Sequence, residues 1–96
     1  MTEGAGMRGI VVMHPRRYDD CTIIGEAIRE GHAVLVNLSE MRPPELHQLV
    51  DFVSGLIFGI QGNIDRVTPW VLLLAPPGVT IVDDADNLTG TFFNQF

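Results

Sequence analysis

The 96-residue sequence predicts a small single-domain α/β sandwich: one mostly covered sheet of about five strands, with two helices on one face. Three observations carry this expectation. Short continuous apolar runs, "GIVVMH" and "AVLVNL", read as buried strands. Two stretches with apolar residues at spacings of three and four read as amphipathic helices. The two kinds of segment alternate in the order β-α-β-α-β-β.

Residues 1–8 are small and polar and read as a flexible lead-in, with the core domain over 9–96. The run 9–14 is a strand ended by Pro15, because a residue before proline favours extended backbone. "YDDCTIIGEAIREG" (18–31) is the first helix. Asp19 or Asp20 can cap it, and their charge suits the positive helix start. Cys21, Ile24, Ala27 and Ile28 share a face, and Gly31 suits a left-handed C-terminal cap. The second strand is 33–38, and a right-handed crossover joins it to the first if the two are parallel neighbours. "SEMRPPE" (39–45) is a loop in which Pro43 or Pro44 suits the first turn of the next helix. That helix runs from about 44 to 61, with Gly62 as its stop. Residues 63–67 and 70–76 are strands around a tight turn at Thr68-Pro69. "GVTIV" (78–82) is a further short strand, 83–90 a polar loop, and "TFFNQF" (91–96) is apolar enough to pack on the sheet.

The second helix raises a question. Glycine in a helix interior costs about 0.5–1 kcal/mol relative to alanine, yet Gly55 and Gly59 lie in the most apolar helix of the chain. At about 100° per residue, Leu46, Leu49, Val50, Phe52, Val53, Leu56, Ile57 and Ile60 span an arc of roughly 160°. That stripe can cover a sheet. The other side holds His47, Gln48, Asp51, Ser54, Gly55, Phe58 and Gly59. Small residues four apart let another backbone approach closely. The visitor is either the other helix of the same protomer or, in a two-fold dimer, a copy of this helix. The dimer would use Gln48, Asp51, Gly55, Phe58 and Gly59.

Composition removes several classes of function. The net charge is −6, all six basic residues are arginine, and there is no lysine. Nucleic-acid binding needs a basic stripe, and attraction to anionic lipid needs basic clusters, so neither partner is expected. Cys21 is the sole cysteine, so no internal disulfide forms, and a buried thiol in a reducing cytosol fits it. No apolar run reaches a membrane span and no signal peptide is visible, so the expected location is cytoplasmic and the sequons at Asn37 and Asn87 carry no weight. His14, His32 and His47 lack ligand spacing, so no metal or cofactor is expected. "HPRR" lacks a glycine-rich phosphate cradle, and Asp83, Asp84 and Asp86 lack the rest of a calcium loop. Ser39 and Ser54 have no visible catalytic partners, and an enzyme is not expected.

"VVMHPRRYDD", "AVLVNLSEM", "LVDFVSGLIFGIQGNIDRV", "LLAPPGV" and "FFNQ" stand in the order and spacing of the bacterial cell-division family SepF. The resemblance runs from about residue 9 to 95 and is to the family's C-terminal core. It implies a non-enzymatic adaptor at the division septum. In the family an N-terminal amphipathic helix lies on the bilayer, and the core binds the C-terminal tail of the tubulin-like protein FtsZ. The core also dimerises through its helices and can polymerise further. No amphipathic helix precedes residue 9, so direct membrane contact is not expected of this chain. The family often carries two basic residues just before "LVDF", where this chain has His47 and Gln48. By resemblance, the tail site falls beside the long helix, on His47, Gln48, Leu49 and Phe52, with Arg42 or a charged His47 assisting. The alternatives are a short paralogue that binds full-length SepF, or a dimeric domain that senses a small molecule.

Overall fold

The computed structural model describes residues 8–82, so the expectations for 1–7, for the acidic loop from 83 and for the apolar C-terminal stretch lie outside the described residues. The elements are β1 (Ile10–Met13), a 3-10 turn (Tyr18–Asp20), α1 (Cys21–Arg29), β2 (Ala33–Asn37), α2 (Pro43–Ile60), β3 (Asn63–Thr68) and β4 (Val71–Ala75). The sheet order is β1-β2-β4-β3. β1 and β2 are parallel, joined through α1, and β4 runs antiparallel to both β2 and β3. All three strands other than β4 therefore end at the same edge of the domain, where both helices begin.

Alternation within the strands sets the core. Val34 pairs with Leu74 and Val36 with Leu72, and all four side chains are fully buried on the helix-covered face. Ile24 and Ile28 of α1 and Leu46, Leu49, Val53 and Ile57 of α2 close over them. Burying a side chain of this size contributes about 1.5–3 kcal/mol.

The element order is the expected one, with local corrections. Four strands, not five, are present among the described residues. "GVTIV" forms no strand there, because Pro76 and Pro77 lack N–H donors and Gly78 turns the chain with φ 86°. Val79 N donates to Pro76 O at 3.2 Å, which closes a turn, and Asn63 Nδ2 ties the segment down by donating to Val79 O at 2.6 Å. The strands are not covered on both faces by described residues. Ile10 and Val12 are 60% and 58% exposed on the face away from the helices.

Both helices end in the same motif. After α1, His32 N donates to Ala27 O and Gly31 N to Ile28 O, with Gly31 at φ 92°. After α2, Gly62 N donates to Ile57 O and Gln61 N to Phe58 O. The left-handed residue there is Gln61 (φ 61°), not Gly62. Gly62 is needed for close approach instead, since a Cβ on it would lie 2.5 Å from Ala75 O. The helix start also differs by one residue, since α2 begins at Pro43 with Arg42 as its extended N-cap.

Candidate functional site: the outer face of α2

The contact between the helices answers the glycine question. A Cβ on Gly25 of α1 would meet Leu56 Cδ2 at 3.8 Å, so the glycine that admits the neighbouring helix is on α1. Among the described residues, a Cβ on Gly55 or Gly59 meets nothing within 4 Å. Those two glycines open to solvent, on the side of α2 that neither the sheet nor α1 covers. Packing among the described residues therefore does not require them.

Around the strip, Phe58 is 86% exposed and Phe52 is 40% exposed, while His47, Gln48 and Asp51 lie on the same side of the helix. At about 100° per residue, Gly55 is near the middle of this arc, with Phe58 toward one margin and Phe52 at the other. A phenylalanine that far out of a small domain places unsupported apolar area in water. Phe52, expected at the edge of the buried stripe and bordering the glycine strip, is on the rim: Leu49 is fully buried while Phe52 is partly exposed.

Phe52 is held by a neighbour that sequence reasoning missed. Its ring stands edge-on to Tyr18, with centroids 6.4 Å apart and planes at 84°. Tyr18 is fixed in turn by its backbone N–H, which donates to Glu45 Oε1 of α2 at 2.8 Å. The two rings wall a groove of about 470 Å³, with Gln48 and Asp51 as the other lining residues. An aromatic just before the acidic helix start in "RRYDD" was the available sign for Tyr18; its partner is too distant in the chain for any local spacing to reveal it.

The remaining expected residues separate. Gln48 and Asp51 line the groove, so the expected tail site and the expected dimer surface overlap on one helix face. Leu49 is fully buried and touches the core, so it supports this face from beneath and offers no surface to a ligand. His47 and Arg42 are exposed but do not line the groove, and both are at the N-terminal end of α2, where the helix dipole is positive. Asp51 supplies the groove's one charged side chain. Among the described residues no cluster of histidine, cysteine, aspartate and glutamate could hold a metal ion. None of the described helices is long and apolar enough to cross a membrane.

The family model described as "Cell division protein SepF" matches residues 10–81, which contain every described element. The chain belongs to the SepF family. It is 42% identical over 96 residues to the SepF of Paenarthrobacter aurescens, covering 97% of this chain and 54% of that relative. To the SepF of Cutibacterium acnes it is 46% identical over 93 residues, covering 95% of this chain and 54% of the relative. The chain therefore spans about half the length of these SepF relatives. Solved SepF-like proteins from Archaeoglobus fulgidus (TM-score 0.73, 15% identity, 79% of this chain and 94% of that one) and Pyrococcus furiosus (TM-score 0.69, 16% identity, 84% and 100%) share the fold. Family membership places the chain in cell division.

Proposed function

We propose that this chain is a non-enzymatic adaptor of the division septum. In this reading it forms a homodimer through the outer face of α2 and takes the C-terminal tail of FtsZ beside that helix. The observation that carries it is the open strip of Gly55 and Gly59 beside the exposed Phe58, in a chain of the SepF family. Two copies related by a two-fold axis would lay strip against strip and bury Phe58 twice. Phe52, braced by Tyr18, gives an apolar anchor for a short peptide, and anchors of this kind dominate binding energy in small interfaces. The peptide's acidic residues would lie toward Arg42 and His47, away from Asp51.

Two measurements test the proposal. Light scattering should give a dimer mass for the wild type and a folded monomer for Gly55→Leu or Gly59→Leu; an unchanged mass refutes the interface. Fluorescence anisotropy with a labelled FtsZ tail peptide from the same cell should show saturable micromolar binding, lost in a folded Phe52→Ala variant. Equal binding by that variant refutes the groove.

A further inference from the structure

The two outer strands of the sheet are unlike each other. β3 carries Asp65 and Arg66 and has an irregular register between Arg66 and Thr68. Charges and bulges protect a free edge against pairing with another chain. β1 is "IVVM", with no charge, no proline and no register break, and no described strand pairs with its outer side. Two of its four side chains, Ile10 and Val12, are more than half exposed.

Hydrogen-bond phase shows what this edge fits. Ala33 N donates to Gly9 O at 2.8 Å. In a parallel ladder this fixes Gly9, Val11 and Met13 as the residues that bond to β2, and it points the N–H and C=O of Ile10 and Val12 outward. An antiparallel neighbour must set its own outward groups against these two. A second β1 does so about a two-fold axis beside Val11. Ile10 then pairs with Val12 of the copy and Val12 with its Ile10, and each pair exchanges two hydrogen bonds. Sliding either strand by one residue sets outward groups against inward ones, so the register is specific. The same register lays Ile10 and Val12 of both copies side by side on the face away from the helices. The side chains that are bare in one chain thereby cover each other in the pair.

The strand ends agree with this register. It brings Arg8 of the copy opposite His14, beside a pocket of about 210 Å³ lined by Met13, His14, Pro15, Asp20 and Ile23. Asp20 is the acidic residue of that pocket. Its Oδ2 accepts the backbone N–H groups of Arg16 and Arg17, and among the described residues its Oδ1 accepts none. Arg8 forms no ion pair among the described residues. Its stem lies over Gly31 just after α1, and Asp20 stands just before α1, so both belong to the helix side of the sheet. Antiparallel pairing sets the end of one α1 beside the start of the other. Arg16, close by, is held by Glu40 at 2.9 Å. We propose that β1 pairs antiparallel with β1 of a second copy about a two-fold axis at Val11. The two four-stranded sheets join into one of eight, and Arg8 of each copy reaches the Asp20 carboxylate of the other. The contact uses no residue of α2, so its test is independent of the dimer proposed above. A four-residue strand pair is small beside a standard interface and is expected at high concentration. If both contacts form, two unlike two-fold axes on one chain link copies into an open row.

Cross-linking in the whole chain tests the register. Val11 and its counterpart form the pair at the axis, where Cα atoms approach to about 4.5 Å, within the span of a disulfide. Val12 and its counterpart stand two residues out of step, more than about 7 Å apart and beyond that span. Under oxidised glutathione, Val11→Cys should give a disulfide-linked dimer, whereas Val12→Cys and the wild type, whose Cys21 is buried, should not. Val12→Pro removes an outward N–H and none of the bonds to β2, so adding it to Val11→Cys should slow linking at least about tenfold. Arg8→Glu should slow it too, by setting like charges together. Linking of neither cysteine variant, equal linking of both, or linking unaffected by both Val12→Pro and Arg8→Glu overturns the proposal. Amide exchange of the unmodified chain is a second measurement that needs no variant to fold. Protection of the Ile10 and Val12 amides should grow with protein concentration. Protection independent of concentration means that the chain fills its own edge and overturns the proposal, as does no protection at any concentration.

Discussion

Replacing Gly55 and Gly59 together with alanine should change stability and assembly in opposite directions. Neither new Cβ meets an atom of the described residues within 4 Å, so no steric cost among them offsets the gain in helix propensity. That gain is about 0.8–1.0 kcal/mol per site, or about 2 kcal/mol for the pair. In a domain of this size it corresponds to a rise in melting temperature of roughly 8 °C or more. At a dimer interface built on backbone approach, the same two methyl groups hold the helices apart and weaken association. Denaturation of the double variant at low concentration, where the wild type is monomeric, should therefore show a higher midpoint, while light scattering shows a lower dimer fraction. A lower midpoint in the dilute double variant would refute the reasoning, because it would mean that the strip is packed within the subunit. A higher midpoint with an unchanged dimer fraction would refute the interface alone.

Gly62→Ala should cost about 1–3 kcal/mol, read from a urea midpoint, because its Cβ would press on the carbonyl of Ala75 at 2.5 Å and backbone must move. Gln61→Gly should instead stabilise by about 0.5–1 kcal/mol, since a left-handed position suits glycine. Leu49→Ala should cost about 2–5 kcal/mol and leave little of a small domain's stability. The carboxyl of Asp20 is held below its ordinary value of 3.8, chiefly by the backbone N–H of Arg16 and then that of Arg17. A depressed folded value means that its contribution is present above the unfolded value and is lost as pH falls through the folded one. The stability difference between wild type and Asp20→Asn should accordingly be constant near neutrality and shrink below about pH 4.

Most of the fold was legible because periodicity reports burial directly. The four buried positions of α1, Cys21, Ile24, Ala27 and Ile28, are those the spacing selects. The misreadings share a physical cause, which is that local pattern does not contain the third dimension. "GVTIV" has strand composition, but Pro76 and Pro77 and the turn at Gly78 carry it away from the ladder. Gly62 does follow the end of α2 as its spacing suggests, but local pattern did not show that β4 passing beside it also demands the missing Cβ. Phe52 was legible as the edge of the apolar arc, but Tyr18, which meets it from another element, was not. Leu49 next to it fell on the same arc and is wholly buried, so it could not serve the surface role expected of both.

The three directions of α2 explain why one helix carries so much of the proposed function. Leu49, Val53 and Ile57 face the sheet. Leu56 faces α1, where Gly25 makes room for it. Both of these directions are satisfied within the protomer, by branched side chains of the sheet in the first and by a glycine of α1 in the second. The third direction differs: small residues face outward, with Phe58 exposed beside them. For a helix that faced only water, alanine or a charged residue at 55 and 59 would stabilise the chain at no steric cost. The sequence keeps about 2 kcal/mol of unused helix propensity on this face, and in the proposed dimer close approach by a second backbone would offset it.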